Sequence, residues 1–231
     1  MTDEEVMAIV RADQVAHRAR LGIGGRLVHY TSAESAYRII TGAEVWLRSA
    51  AVMNDFSEIN HGLSCLHDAW ESTSGQALQQ LLDRLRPGLR NELAELFNGH
   101  APYLRDDTYL VSLSEHHDTE DQLGRLSMWR AYGGKAGVAL VLNPRAFLAA
   151  TDVMKVFSEP VIYADQQSFV TWFQGWAAQL LAIEDALRTG NPDTTRNALF
   201  YAFRVFAMCT KHPGFAEERE WRVFHSPTHE G

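Results

Sequence analysis

The chain has 231 residues, which fits one large domain. Its formal net charge of −8 argues against a general affinity for nucleic acid, which requires a clustered basic face, but leaves a local basic groove open. The 2 cysteines, Cys65 and Cys209, exclude a disulfide framework and a cysteine-rich zinc site, and we expect both to be buried thiols.

The first residues of the chain are acidic and mixed, without the apolar core of a signal peptide. No stretch approaches the roughly 18–20 uninterrupted apolar residues that a membrane span requires. We therefore expect a cytoplasmic protein that does not bind a membrane.

Hydrophobic periodicity and turn residues predict helices and strands that are interspersed without a regular βαβ rhythm. In chain order, the predicted elements are a helix over 3–21, a strand over 27–30, a helix over 32–40, a strand over 45–48, broken helices over 59–97, a strand over 108–114, a helix over 128–132, strands over 137–142 and 153–163, helices over 166–187 and 194–209, and a strand over 219–225. The apolar run 137–142 is typical of a central strand.

These elements predict an α+β fold in which a curved mixed β-sheet is flanked by helices. We expect a single domain over 1–231. Its sheet core and site would come from 22–58 and 108–225, and 59–100 would form a helical elaboration.

The run from Glu218 to Arg222 is the most informative polar segment. In a strand, Glu218, Glu220 and Arg222 would line one face and Trp221 the other, a pattern that also suits the exposed surface of a sheet. Two close carboxylates raise the pKa of one of them, which suits hydrogen bonding or acid–base work. The carboxylates of Glu218 and Glu220 are therefore the leading candidates for chemistry, and the residues alone do not distinguish the two.

Other candidate residues carry weaker signals. His29 lies in a short apolar strand before Tyr30 and Thr31, where a satisfied core histidine is the main alternative to a functional one. Trp129 and Tyr132 are three apart on a helix, a spacing that also suits core packing. The histidines and acids of the loop 116–121 are adjacent residues that rarely aim at one ion, so we expect a solvated loop and no metal.

Together these segments resemble a bacterial family, domain of unknown function 2971, over nearly the whole chain. The matching segments are His29-Tyr30-Thr31, Leu47-Arg48-Ser49, Asn54-Asp55-Phe56-Ser57-Glu58, Val111-Ser112-Leu113-Ser114-Glu115, Met128-Trp129-Arg130-Ala131-Tyr132, Gly137-Val138-Ala139-Leu140, Lys211, Phe215, Glu218, Glu220, Trp221 and Arg222. The family name carries no activity.

The order of elements is also similar to that of ADP-ribosyltransferases, which split NAD and pass ADP-ribose to a nucleophile. This resemblance implies an ADP-ribosyltransferase-like sheet and NAD as the substrate. It places catalytic roles on His29, at a ribose hydroxyl, and on Glu220, at the 2′-hydroxyl of the nicotinamide ribose. Either Ser112 and Ser114 or Tyr132 would match the middle element of the pattern.

The same resemblance implies that Arg48 and Arg222 meet the pyrophosphate through bidentate hydrogen bonds. The residues expected to bind NAD are His29, Tyr30, Thr31, Arg48, Asn54, Ser112, Ser114, Trp129, Tyr132, Glu218 and Arg222. The implied biological role is that of a toxin or phage-defence effector that modifies nucleic acid or protein, and a toxin implies a neutralising partner protein.

Two other classes of function stay open from the sequence. A metal-dependent nuclease would use Asp55, Glu58, Lys211, Glu218 and Glu220 to hold Mg²⁺ and a phosphate. It requires Asp55 and Glu220 in a single coordination sphere. A ligand-sensing or partner-binding module of a defence or toxin–antitoxin system would use the same surface without catalysis.

Overall fold

The computed structural model describes residues 2–52, 56–148 and 156–226. The α-helices in these ranges are α1 (Asp3–Val10), α2 (Ala12–Gly22), α3 (Ala33–Gly42), α4 (Phe56–Glu71), α5 (Thr73–Leu85), α6 (Leu89–Asp106), α7 (Leu126–Tyr132), α8 (Arg145–Leu148), α9 (Gln166–Leu181), α10 (Glu184–Thr189) and α11 (Pro192–Cys209). The strands are β1 (Arg26–Ser32), β2 (Arg48–Ser49), β3 (Tyr109–His116), β4 (Gly137–Leu142), β5 (Phe157–Pro160), β6 (Ile162–Tyr163), β7 (Thr210–Lys211) and β8 (Glu220–His225). Short 3₁₀ turns cover Ala50–Val52, Asp118–Glu120 and Pro213–Glu218.

The main sheet has the strand order β4-β1-β3-β8-β5, and β2 pairs with β3 beside this path. The combination of this sheet with helices confirms the α+β class. Every neighbouring pair in the main sheet is antiparallel, so the expectation of a mixed sheet is wrong for it. The parallel pair, β6 with β7, forms a separate two-stranded sheet. A strand runs parallel or antiparallel to its neighbour according to the end of the sheet at which the preceding connection re-enters it. Hydrophobic patterning carries no information on this direction.

The main sheet separates two apolar layers. On one face, Leu27, Leu113 and Trp221 pack with Leu21 at the end of α2. On the other face, Leu110 and Phe224 pack with residues of α4, α6 and α11. A larger core between the helices contains aromatic residues such as Trp176 and Phe206 and joins α1, α4, α5, α6, α9 and α11.

The predicted helices over 59–97 are confirmed as α4, α5 and α6, with breaks at Ser72 and at 86–88. The single predicted helix over 3–21 is wrong, because the helix is interrupted at Arg11. Two tertiary contacts account for the interruption. The indole of Trp176 donates to the carbonyl of Val10 at 2.9 Å, and the guanidinium of Arg11 turns to the buried Glu159.

Three strand predictions also need correction. The strand over 45–48 is reduced to β2, and the side chains of Val45 and Trp46 are exposed. The run 137–142 is a strand, but it lies at the end of the sheet rather than in its centre. The expected strand over 153–163 is represented by β5 and β6, and its first residues lie outside the described ranges. Within those ranges, no helix has the length and apolar character of a membrane-crossing segment.

Candidate functional site

The site is built on the face of the sheet that carries Glu220. Val28 pairs with Ser114, and Ser114 pairs with Glu220, so the side chains of these three residues point to one side. The neighbouring Trp221 points to the opposite side and is fully buried there. The predicted alternation along β8 is therefore confirmed.

The charged face of β8 is buried, in contrast to the exposed surface strand that the pattern also allowed. Glu220 is 5% exposed and Arg222 is 0% exposed. Glu218 lies outside the strand, in the 3₁₀ turn, and Arg219 adopts a left-handed conformation with φ of 44° between them. This local reversal changes the register, yet Glu218 still reaches the same group of charges as Glu220.

Both carboxylate oxygens of Glu220 accept hydrogen bonds. Oε1 accepts from the hydroxyl of Ser112 at 2.5 Å and from Nε of Arg222 at 2.8 Å. Oε2 accepts from Nζ of Lys211 at 3.1 Å. The backbone N–H of Glu220 donates to the hydroxyl of Tyr163 at 2.7 Å. The carboxylate is thus held by groups on β3, β7 and β8, and the backbone of Glu220 by a group on β6.

Lys211 joins three glutamates from different elements. Its Nζ lies 2.7 Å from Oε2 of Glu218 and 2.8 Å from Oε1 of Glu58, in addition to its contact with Glu220. Arg222 also bonds to Glu58, and its Nη1 donates to the carbonyl of Met208 at 2.5 Å. We call Glu58, Lys211, Glu218, Glu220 and Arg222 the ionic cluster. With three carboxylates and two cations, the cluster carries one surplus negative charge.

The charges of the cluster determine its protonation. Burial raises the pKa of Glu220, but the charges of Arg222 and Lys211 and the hydrogen bonds from Arg222 and Ser112 outweigh burial and lower that pKa to about 2. Burial lowers the pKa of Lys211, and the neighbouring glutamates outweigh it and raise that pKa above its usual range. Glu220 is therefore a carboxylate and Lys211 an ammonium at neutral pH.

Two aromatic side chains border the cluster at the protein surface. The hydroxyl of Tyr132 donates to Oε1 of Glu218 at 3.4 Å, and the Nζ of Lys211 lies 4.8 Å from the centre of the Phe215 ring. Tyr132 is 44% exposed and Phe215 is 46% exposed. The side chains of Glu218 and Glu58 are 18% and 13% exposed, so the cluster meets solvent at these two carboxylates.

His29 does not meet Glu220. It follows Val28 in β1, and successive strand residues point to opposite faces, so the His29 ring lies on the face away from the cluster. Its Nδ1 donates to the carbonyl of Ser112 at 3.2 Å, which fixes the tautomer with the proton on Nδ1. Burial lowers the pKa of His29, so its ring is neutral at neutral pH.

The neighbours of His29 have other contacts. Tyr30 is buried on the cluster side of β1, where its hydroxyl accepts from the N–H of Arg125 at 3.1 Å and its ring meets Trp129 edge-on at 4.9 Å. The indole of Trp129 donates to the carbonyl of Leu123 at 2.7 Å. Thr31 follows on the His29 face and is partly buried. Tyr30 and Trp129 hold α7 against β1, whereas Tyr132, at the end of α7, contacts Glu218 of the cluster.

The remaining predicted residues have different placements. Ser114 is buried, and its hydroxyl donates to the carbonyl of Glu218. Arg48 is exposed on β2, opposite Leu110, four residues along β3 from Ser114. Arg222 is enclosed by the cluster, which leaves it no access to a pyrophosphate. Asn54 and Asp55 lie outside the described residues.

The loop 116–121 is held by ion pairs. Asp121 lies 2.9 Å from both His116 and Arg26, and Glu120 bonds to Arg219 at the base of the candidate site. Within the described ranges, no group of three or more His, Cys, Asp and Glu side chains has an arrangement that could hold a metal ion. Both cysteines are buried free thiols, as predicted.

Two residues of the site were not predicted from the sequence. Tyr163 lies in the short β6, and no spacing or motif marks it as a neighbour of Glu220. Phe215 was a feature of the family resemblance, without an assigned role. Lys211 was a feature of the family resemblance and a residue of the nuclease hypothesis, but it was not assigned to the site of the leading hypothesis, although it is the centre of the observed charge arrangement.

A family model described as "Protein of unknown function (DUF2971)" matches residues 128–223. The match begins in α7 and ends in β8, and so includes Tyr132, Lys211, Glu218, Glu220 and Arg222 but not His29. Comparisons with curated proteins and with solved structures gave no match. The matched segment supports the resemblance to this family, whose description assigns no activity.

Proposed function

We propose that the chain is an NAD-dependent ADP-ribosyltransferase-like enzyme in which Glu220 stabilises the transition state. The observation that carries this proposal is the convergence of Glu218 and Glu220 on Lys211, beside the exposed rings of Tyr132 and Phe215. The Glu-x-Glu segment is the feature that the resemblance to ADP-ribosyltransferases assigns to this chemistry.

The charge of the ionic cluster suits this reaction. When the bond between C1′ of the ribose and the nicotinamide nitrogen breaks, its electron pair leaves with the nicotinamide and positive charge develops on the sugar. An immobile carboxylate stabilises that charge more than it stabilises the neutral ribose of the ground state. Glu220 is held as a carboxylate by Lys211 and Arg222, and the surplus negative charge of the cluster acts in the same direction.

The rings at the surface have a role in the same proposal. Tyr132 and Phe215 offer flat apolar faces next to Glu218, and aromatic faces hold a planar nicotinamide ring. His29 has an indirect role, because its contact with the carbonyl of Ser112 positions the residue whose hydroxyl donates to Glu220. The toxin or phage-defence role and the acceptor, whether nucleic acid or protein, are part of the same proposal.

The test is release of nicotinamide from NAD by the purified protein, with and without cell extract, followed by chromatography. We expect Glu220→Gln to reduce the release by about 100-fold or more, the scale of losing one oriented electrostatic group. Glu95→Gln, at an exposed position of α6, is the matched control and should leave the rate unchanged. Circular dichroism verifies that both variants fold. Absence of NAD binding and of nicotinamide release by the wild-type protein with every extract would refute the proposal.

A second candidate, a non-catalytic ligand-sensing or partner-binding module, is favoured by one observation. Both oxygens of Glu220 already accept hydrogen bonds from the protein, an arrangement that also suits a purely structural ion cluster. The cellular phenotype of a folded Glu220→Gln variant distinguishes the enzyme from the binding module. A binding module keeps its phenotype in this variant, because it needs no catalysis by Glu220. The nuclease hypothesis has less support, since Glu58, Glu218 and Glu220 each bond to a cation of the protein itself.

A further inference from the structure

The end strand β4 has a composition that its position does not explain. Its residues, Gly137 to Leu142, are all apolar, without the alternation expected of a strand with one solvated face. None of the six is fully buried, and Val141 is 47% exposed. β4 pairs with β1 along its whole length and, among the strands of the described residues, is the last on that side of the sheet.

The opposite end of the sheet is protected. There β5 has four residues, ends in Pro160 and contacts α2 and α11, and Ser158, Glu159 and Pro160 are buried. Short length, proline and covering helices are the usual means of closing a sheet edge to further strands. β4 has six residues and contains no proline and no charge. No strand of the described ranges pairs with its outer edge, which therefore presents a row of backbone N–H and C=O groups suited to another strand.

The charges beside β4 indicate what kind of strand would fit. Lys135 precedes the strand and Arg145 follows it, and both are exposed. The N–H of Ala33 bonds to the carbonyl of Ala136, which places the start of α3 beside this end of β4. Glu34, in the first turn of α3, is already paired with Arg38 at 2.6 Å. Both ends of this edge are thus basic in a chain whose formal net charge is −8.

We propose that the outer edge of β4 binds an extended segment of a partner protein, apolar in its centre and acidic at its ends, by strand addition. Main-chain hydrogen bonds supply the attachment, and the pairing of acids with Lys135 and Arg145 supplies selectivity. A second copy of this chain is the poorer occupant, because antiparallel pairing of two β4 strands brings Lys135 of one copy towards Arg145 of the other.

The experiment uses the full chain and two synthetic peptides. Both peptides alternate valine and threonine in the centre; one carries two aspartates at each end and the other two lysines. Binding is measured by titration calorimetry, and its location by hydrogen exchange of the β4 amides. We expect the acidic peptide to bind at least about tenfold more tightly than the basic one and to slow exchange in β4.

Charge reversal provides the decisive comparison. The double variant Lys135→Glu with Arg145→Glu should invert the preference and bind the basic peptide more tightly. The control double variant, Arg90→Glu with Arg188→Glu, changes two exposed charges on α6 and α10 and should keep the wild-type preference.

Three results would overturn the proposal: equal affinity for the two peptides, binding without protection of β4, or no binding of either peptide. Sedimentation tests the competing occupant. A dimer of the wild-type chain that Val141→Lys dissociates would assign the edge to a second copy instead of a partner protein.

Discussion

His29 and Glu220 lie on opposite faces of the main sheet and both bond to Ser112. The imidazole of His29 donates to the backbone carbonyl of Ser112 at 3.2 Å, while the Ser112 hydroxyl donates to Glu220 at 2.5 Å. The two residues are therefore coupled through the position of one residue of β3. Any influence of His29 on the chemistry of Glu220 has to pass through the backbone there.

This relationship predicts that His29→Leu lowers the stability of the fold without changing its affinity for NAD. The carbonyl of Ser112 loses its imidazole donor, so we expect the free energy of unfolding to fall by about 1–3 kcal/mol. The affinity for NAD should stay unchanged, because the ring lies on the far face. Urea denaturation and titration calorimetry measure the two quantities.

Ser112→Ala provides the contrast, since it removes a hydrogen bond to Glu220 itself and is expected to slow nicotinamide release. If His29→Leu instead weakens NAD binding while stability is unchanged, then His29 contacts the ligand directly, and the assigned separation of the two faces is incorrect.

The local features of this site were predictable, and the pairing of distant segments was not. Alternation along a strand correctly assigned Glu220 and Trp221 to opposite faces. The sequence does not specify which residue of β1 stands opposite Ser114, and that register places Val28, rather than His29, in the row of Glu220. A shift of one residue in register exchanges the two faces completely.

The burial of the charged side chains on β8 could not be predicted from the sequence either. The charges at Glu220 and Arg222 resembled the solvated face of a sheet, yet they are buried because Lys211 and Glu58 arrive from β7 and α4 to pair with them.

The position of β4 in the sheet could not be predicted from the sequence either. An apolar run indicates low exposure on both faces, but strand order depends on which segments pair across long connections.

The buried carboxylate of Glu220 predicts an acid-dependent loss of stability. Its pKa is lowered from 4.5 to about 2 by Arg222 and Lys211, against the effect of burial. Because this pKa is lower in the folded chain than in the unfolded chain, Glu220 contributes its full stabilisation above the unfolded pKa of 4.5. That contribution is lost as the pH falls from 4.5 towards 2. The contribution is about 3 kcal/mol.

Glu220→Gln should therefore show a smaller change of unfolding free energy over that pH interval than the wild-type protein. Urea midpoints measured at successive pH values give the comparison, with the exposed Glu95→Gln as control. A wild-type slope retained in Glu220→Gln would assign the acid sensitivity to other carboxylates.

Lys211→Met predicts a change in both the stability and the titration of the cluster. Removing one partner of a buried ion group leaves uncompensated charge and costs about 3–5 kcal/mol. The pKa of Glu220 should also rise, because the ammonium of Lys211 is one of the charges that lower it. The acid-dependent loss of stability through Glu220 would then be smaller and would end at a higher pH, since it still begins at the unfolded pKa of 4.5.

Lys135→Met is the matched control, since this lysine is exposed. It should change neither the free energy of unfolding at neutral pH nor the acid profile. If Lys211→Met behaves like Lys135→Met, the contacts of Lys211 with the three glutamates contribute nothing to the fold.

A separate titration is expected from His100, away from the candidate site. It is 7% exposed on α6, and its ring lies 5.5 Å from that of Phe200. Burial, together with the charge of Arg204, lowers the pKa of His100 from 6.5 to about 4. The neutral ring thus stabilises the fold fully above pH 6.5, and this contribution is lost as the pH falls towards 4.

His100→Gln should flatten the stability profile between pH 6.5 and about 4, a window above that of Glu220. The expected difference in unfolding free energy across the window is roughly 3 kcal/mol. Urea denaturation at fixed ionic strength measures it, and His67→Gln, at an exposed position of α4, should keep the wild-type profile. Because the two windows barely overlap, an unchanged slope in His100→Gln would mean that its ring remains accessible to protons in the folded chain.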